Sequence, residues 1–202
     1  IGAADITLGD ATAQADFNGT TTQTITGGAA NEMIDGTGIV NISNTSTGGV
    51  IFGAHAKLSV NTLQLKLAAN ARATTTLASH VVKDVTMAAG SVLVLDDTIA
   101  DTNTIFTTTN TLTNASIATN SFLKMPSNFD SGETIKLFVD VLDADVVAIT
   151  ADVNSALVDT GLVNYVATTT DTDDITVTAT ETTDTEAAST LNVTNNSAKA
   201  LR

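Results

Sequence analysis

Short runs of alternating apolar and polar residues recur along the whole chain, and this alternation limits the folds open to it. Leu63, Leu65 and Leu67 fall on one side of an extended segment, while Gln64 and Lys66 fall on the other. A period of two is the signature of a strand with one buried face. Glycine, asparagine, aspartate and serine bound the runs, which is typical of turns. The pattern predicts an all-β protein.

The predicted strands are residues 23–26, 38–42, 50–52, 57–60, 62–67, 81–86, 91–95, 104–108, 116–118, 122–124, 134–139, 146–149, 162–167 and 174–180. No segment before Ser189 shows the apolar stripe of a helix. Residues 68–78 are rich in alanine and are compatible with a helical turn, but the threonines from Thr74 onward argue against a long helix. Residues 195–202 show the signs of a helix start, with Asn196 or Ser197 as the N-cap.

The composition favours a narrow core over a thick one. Hydrophobic residues make up 43% of the chain, but aromatic residues only 3%, and tryptophan is absent. Large rings commonly close the core of a two-layer domain, whereas stacked aliphatic side chains fill a narrow core without them. Asn18-Gly19 and Asp35-Gly36 are the only two-residue turns of the Asn-Gly kind that a hairpin would need. Apolar patches recurring at roughly 20–25 residues indicate a solenoid instead, with roughly nine coils.

Two groups of segments carry recognisable phrases. The first comprises residues 16–27 (Asp-Phe-Asn-Gly-Thr-Thr-Thr-Gln-Thr-Ile-Thr-Gly), 38–42 and 49–52. The second opens with Ser-Gly-Glu-Thr-Ile-Lys-Leu-Phe at residues 131–138 and continues through 153–158, 162–167, 173–179 and 189–193. These phrases resemble the passenger regions of bacterial autotransporters of the rickettsial, outer-membrane-protein-B-like type.

The resemblance implies a right-handed parallel β-helix (solenoid) at the bacterial cell surface, associated with the outer membrane, with a C-terminal capping segment that aids folding during secretion. Residues 1–125 would form the coils, residues 126–188 the cap, and residues 189–202 a linker toward the membrane barrel of the same precursor. An uncovered stack would expose unpaired backbone groups at its end, which favours such a cap on physical grounds. Pro126, the only proline, marks the junction because proline removes a ladder donor. No direct membrane insertion of this segment is expected.

Charge and residue content narrow the function. The formal net charge is −14, from 22 acidic and 8 basic residues, so nucleic acid is an unfavourable partner. Because cysteine is absent, disulfides, thiolate metal sites and cysteine nucleophiles are excluded. His55 and His80 are the only histidines and carry no catalytic motif, so both are predicted to be surface or structural residues. No catalytic, cofactor-binding or metal-binding residue is assigned, and no cofactor is expected.

The predicted function is a non-enzymatic surface passenger that serves coat formation or host-cell adhesion, with a host-cell surface receptor as its expected partner. One alternative is a calcium-dependent surface-layer protein, whose stability a chelator would lower. Its candidate ligands are Asp96, Asp97, Asp101, Asp171, Asp173 and Asp174. A second alternative is a polysaccharide-acting β-helix enzyme with paired carboxylates, although sugar-stacking aromatics are scarce. Matches to the glycosylation pattern, such as those at Asn18, Asn41 and Asn114, are frequent by chance in such a chain.

Overall fold

The computed structural model describes residues 6–26, 33–59, 62–108, 116–159, 163–169 and 173–181, and these are mostly strand. One helix lies within them, α1 (Val146–Ala156). The strands, numbered in chain order, are β1 (Ile6–Leu8), β2 (Gln14–Phe17), β3 (Gln23–Ile25), β4 (Met33–Gly36), β5 (Gly38–Ile42), β6 (Val50–Phe52), β7 (Lys57–Leu58), β8 (Leu63–Leu67), β9 (Arg72–Thr75), β10 (His80–Val81), β11 (Asp84–Met87), β12 (Val92–Leu95), β13 (Thr104–Thr107), β14 (Phe122–Lys124), β15 (Thr134–Val139), β16 (Leu157–Val158), β17 (Val163–Thr169) and β18 (Ile175–Glu181).

As far as β16 the chain visits its sheets in rotation, so that strands adjacent in sequence lie in different sheets. A six-stranded sheet has the order β16-β14-β12-β9-β6-β3 and a four-stranded sheet the order β11-β8-β5-β2. A three-stranded sheet, β1-β4-β7, and a five-stranded sheet, β10-β13-β15-β18-β17, complete the set. All pairings up to β16 are parallel, and only β18 pairs antiparallel, with β15 and β17. The fold is therefore an all-β arrangement dominated by parallel sheets.

The sequence separation between paired residues gives the number of residues that the chain uses before it returns to the same sheet. It is 20 residues where Arg72 faces Val92, and 34 where Leu123 faces Leu157. The longest stack in the described residues has six strands, fewer than the roughly nine coils expected. With ~4.8 Å between neighbouring strands, this stack is about 24 Å from first strand to last.

Alternation within each strand builds the core. Leu63, Leu65 and Leu67 are all buried, as predicted, while Gln64 and Lys66 are partly exposed. Parallel register places inward residues of successive strands over one another, as with Val50 and Ala73. Burying a leucine side chain in such a column stabilises the fold by about 1.5–3 kcal/mol relative to leaving it in water.

The prediction that no helix precedes Ser189 is wrong. Residues 146–149, predicted as a strand, form the first turn of α1. The helix ends at Ala156, inside the segment 153–158. Val146, Ile149 and Val153 recur every three or four residues and are buried. Their β-branched character imitates a strand when only a few residues are considered.

Other strand predictions differ from the structure at the corners. Residues 81–86 divide into β10 and β11, residues 68–78 contain β9 rather than a helical turn, and residues 116–118 contribute an isolated bridge to Met87. Strands β1, β2 and β4 were not predicted. Gly36 does not form a hairpin: it leads from β4 into β5 with φ +98°, where a Cβ would lie 2.1 Å from the Leu8 carbonyl oxygen. The predicted linker and the helix start at 195–202 lie outside the described residues.

The last elements cover one end of the parallel stack. Strand β18 adds to β15, β17 adds to β18, and α1 packs against β17. The Asn154 amide on α1 donates to the Ala167 carbonyl oxygen (2.9 Å) and accepts from the Ala167 N–H (2.8 Å). The Asp159 carboxylate accepts the Tyr165 N–H at 3.1 Å. Side chains therefore take the place of a neighbouring strand along the outer edge of β17, which discourages association with other strands.

Replacing Asn154 with alanine should remove both hydrogen bonds to Ala167 and lower the free energy of unfolding by about 1–3 kcal/mol. Urea unfolding followed by circular dichroism would measure the loss. Ser155→Ala is the matched control, because the Ser155 hydroxyl is exposed and donates within the helix, to Ala151. Equal stabilities of the two variants would contradict a stabilising role for the Asn154 bridge.

Candidate binding surface

The outward side of the six-stranded sheet is unusually apolar for an exposed strand surface. The residues that point outward from its strands are here called the six-stranded face. They are Thr24, Ile51, Arg72, Thr74, Val92, Val94, Phe122, Lys124 and Val158. The register aligns Arg72, Val92 and Phe122 in one column and the remaining six in a second. Phe122 is 45% exposed, and its apolar neighbours Val92 and Val94 are partly exposed.

The outward side of the four-stranded sheet is different. Its columns read Gln14, Ile39, Gln64, Asp84 and Asp16, Asn41, Lys66, Thr86. Only one of these eight residues is apolar. Contiguous exposed apolar surface on a folded chain marks an interaction site more often than a scattered residue does, which singles out the six-stranded face.

A groove continues the six-stranded face at the carboxyl ends of β12, β14 and β16. Its volume is about 470 Å³. It is lined by Val94, Leu95, Asp96, Asp97, Lys124, Met125, Ser127, Val158 and Asp159. Val94, Lys124 and Val158 belong to both the groove and the face, so the two form one continuous surface.

Hydrogen bonds hold the groove's polar rim. The Asp97 carboxylate accepts the Ser127 N–H at 2.6 Å and the Ser127 hydroxyl at 2.9 Å. Asn128 donates to the Asp97 carbonyl oxygen at 3.2 Å. Asp96 accepts from both the N–H and the hydroxyl of Thr98, as aspartate does in tight turns. The loop after β12 is thereby attached to the segment after β14.

The third acid of the groove, Asp159, is held in position by β17, one of the strands that cover the end of the parallel stack. It accepts the Tyr165 N–H, and the Tyr165 hydroxyl donates to the Pro126 carbonyl oxygen at 2.8 Å in a buried contact. A groove with aliphatic walls, three carboxylates and one ammonium group suits an extended apolar segment that carries positive charge.

The two histidines occupy different environments. His55 is exposed in a turn with φ +67°. His80 is buried, and its burial together with the charge of Lys57 lowers its pKa to about 4. Among the residues that the structure describes, no three His, Cys, Asp or Glu side chains come together in a group that could hold a metal ion.

The acidic residues considered for calcium are dispersed. Asp96 and Asp97 line the groove, whereas Asp101 does not. Asp174 is buried against the end of β15, where it accepts from the Lys136 ammonium at 2.7 Å. Asp171 lies outside the described residues, as does the sequon at Asn114. Asn18 is exposed, and the Asn41 amide donates to Asp16 across neighbouring strands.

The six-stranded face was missed by the sequence reading, although one signal for it exists. Residues 92–95 are Val-Leu-Val-Leu, apolar at every position. In a strand, such a run places aliphatic side chains on both faces. An apolar outward side was therefore predictable at β12, but its alignment with Phe122 and Val158 depends on a register that spacing alone does not give.

Comparison of the chain with protein-family models, with curated proteins and with solved structures found no match. No helix in the described ranges combines the length and apolarity needed to cross a membrane.

Replacing Asp97 with alanine should release the segment after β14 and speed hydrogen exchange of the Ser127 amide about tenfold, which corresponds to about 1.4 kcal/mol for a lost hydrogen bond. Amide exchange read by NMR would measure it. Asp101→Ala removes the same charge from an exposed position and should leave Ser127 unaffected. An unchanged Ser127 rate in Asp97→Ala would show that the rim does not depend on this contact.

Proposed function

We propose that the chain is a non-enzymatic segment of a surface protein, built as a right-handed parallel β-helix, which binds a partner through the six-stranded face. The observation that carries this proposal is the rotation of successive strands through separate parallel sheets. Crossovers between parallel strands of one sheet are right-handed in nearly all proteins, which supports the proposed hand.

In the proposed β-helix the six-stranded and four-stranded sheets form two walls. The third wall combines the three-stranded and five-stranded sheets, which the bridge between Ser59 and Val81 connects. Each of the first four levels then contributes one strand to each wall, and in the fifth the bridge between Ile117 and Met87 continues the wall of the four-stranded sheet. In the last level α1 follows β15, at the position that β11 and its predecessors hold in earlier levels. The presence of α1 in place of a strand supports the proposal that the last level covers the stack.

Residues 126–188 are proposed to be the C-terminal cap, and residues 189–202 the linker toward a membrane barrel. The support for a cap is the antiparallel addition of β18 and β17 and the edge contacts of Asn154 and Asp159. The parallel pairing continues past Pro126, since β15 pairs with β13 and β16 with β14. The proposed cap therefore includes the last parallel level. A location at the bacterial cell surface follows from the resemblance to autotransporter passengers.

Adhesion is proposed over catalysis because the continuous apolar face and its groove provide contact area. Three residues across six strands amount to about 240 Å² of flat surface, from strand rise and spacing. This is below a standard protein–protein interface, so each contact is expected to be weak and to gain strength from many copies on one cell. A host-cell surface receptor with an apolar, positively charged segment fits this surface.

Adhesion can be tested with beads that carry the chain and with cultured epithelial cells. The triple variant Val92→Thr, Val94→Thr, Phe122→Thr keeps strand propensity but removes the apolar columns. It should reduce attachment at least tenfold. The matched control, Ile39→Thr, Val81→Thr, Val139→Thr, changes outward aliphatic residues of other sheets and should attach normally. Equal attachment of both variants, or no attachment by the unmodified chain, would refute adhesion through this face.

The folding role of the cap can be tested by truncation after Asp130. This removes β15, α1 and β16–β18 and uncovers the edges of β13 and β14, so refolding should slow and aggregation should increase. Refolding from urea, followed by circular dichroism and light scattering, would measure both. A chain that ends after Glu181 keeps all these elements and should refold like the full chain. A product ending at Asp130 that refolds as fast and stays soluble would rule out the cap.

A further inference from the structure

One sheet boundary interrupts the parallel stack outside the six-stranded sheet that carries the groove. The three-stranded sheet ends at β7 and the five-stranded sheet begins at β10. Among the described residues, which break off after Ser59 and resume at Thr62, one bridge crosses this boundary, between Ser59 and Val81. The named parallel strands share two or more register pairs, and the one other isolated bridge in the described residues, between Met87 and Ile117, extends the four-stranded sheet. We call the boundary between β7 and β10 the seam.

A histidine ring joins the two sides of the seam. The Leu58 N–H on β7 donates to Nδ1 of His80 at 3.1 Å, so the ring occupies the position that a backbone carbonyl would take in an unbroken ladder. Nε2 of His80 lies 2.9 Å from the Thr75 hydroxyl on β9, and that hydroxyl donates to the Leu77 carbonyl oxygen. His80 therefore links β10 to strands of two other sheets.

These contacts fix the protonation state of the ring. A backbone N–H can only donate, so Nδ1 must be an unprotonated acceptor. Nε2 then carries the single proton and donates it to the Thr75 hydroxyl. The structure therefore requires neutral imidazole, and a second proton on Nδ1 would leave the buried Leu58 N–H without its acceptor.

Burial and a nearby positive charge outweigh a backbone hydrogen bond to Leu77, which favours the imidazolium and raises the pKa of His80. His80 is 1% exposed and lies between Phe106, with ring centroids 5.4 Å apart, and Phe52, at 6.4 Å. Phe106 in turn stacks on Phe138. Desolvation of the charged form is the larger cause that lowers the pKa of His80 to about 4, and the nearby Lys57 lowers it further.

The charged groups on the elements around the ring are few and basic. Lys57 lies on β7, and Arg72 lies on β9 with its side chain on the opposite face from Thr75. Lys136 on β15 is paired with Asp174. Strands β6 and β13 carry no titratable residue, and none of β6, β7, β9, β10 and β13 carries an acid. No carboxylate on these strands stabilises a protonated His80.

We propose that the seam is an acid-sensitive joint, in which protonation of His80 releases Leu58 and separates β7 from β10. The unfolded chain takes up a proton at histidine near pH 6.5, whereas the folded chain resists it until about pH 4. The folded-state pKa is the lower one, so this contribution to stability is complete above pH 6.5 and is lost as the pH falls from 6.5 toward 4. The joint goes beyond the binding proposal and does not depend on it.

The test compares urea unfolding of the full chain at pH 7.5 and pH 5.0. His80→Asn retains an acceptor for Leu58 and a donor for Thr75 but does not titrate. Over this interval the folding equilibrium constant of the unmodified chain should fall about 30-fold more than that of His80→Asn. The control, His55→Asn, lies in an exposed turn whose positive φ asparagine tolerates, and it should follow the unmodified chain. Equal losses in the unmodified chain and His80→Asn would overturn the proposal.

Two NMR measurements on the unmodified chain keep the proposal testable if His80→Asn does not fold. The imidazole nitrogen shifts of His80 should still report the neutral Nε2–H form at pH 5.5. After correction for the intrinsic pH dependence, exchange of the Leu58 amide should accelerate below pH 5, while the Leu65 amide inside β8 stays protected. A ring half-protonated near pH 6.5, or Leu58 and Leu65 amides that respond alike, would overturn it.

Discussion

Parallel backbone pairing in register underlies the other features of this protein. Because side chains alternate between faces with a period of two, in-register pairing places inward residues over inward residues at every level. Val50, Ala73, Leu93 and Leu123 form such a column across four strands. A slip of one residue would move a strand's apolar set to the solvent side, so the buried columns hold each strand in its register.

The same constraint generates the outer surface. Outward residues are stacked as strictly as inward ones, so a few aliphatic positions on successive strands merge into a continuous patch. Val94 and Val158 flank Lys124 in one column, and Val92 adjoins Phe122 in the other. On the four-stranded sheet the same geometry aligns mostly amides and charged groups instead. The chemistry of each face is thus set by sequence, and its continuity by register.

The local sequence pattern predicts much of the fold but little of the candidate binding surface. Alternation located β5, β6, β8, β14 and β15 to within a residue, because one-sided burial leaves a period of two. It failed at α1, where Val146, Val147 and Ile149 favour a strand locally and packing against β17 selects a helix. It also failed to identify the short strands β1, β2 and β4. The groove joins three loops distant in sequence, and the role of His80 depends on an N–H 22 residues away, so neither has a local signal.

From β9 onward, the sequence separation between paired strands of the six-stranded sheet increases toward the C-terminal side. From β9 to β12 the chain needs 20 residues, but from β14 to β16 it needs 34. The added length in that last level includes α1, which lies between β15 and β16, while the flanking strands remain parallel to their predecessors. Because the ladder constrains only strand residues, the corners can take up insertions at small entropic cost. Residues can therefore be inserted between strands of this chain without a change in the column of stacked side chains.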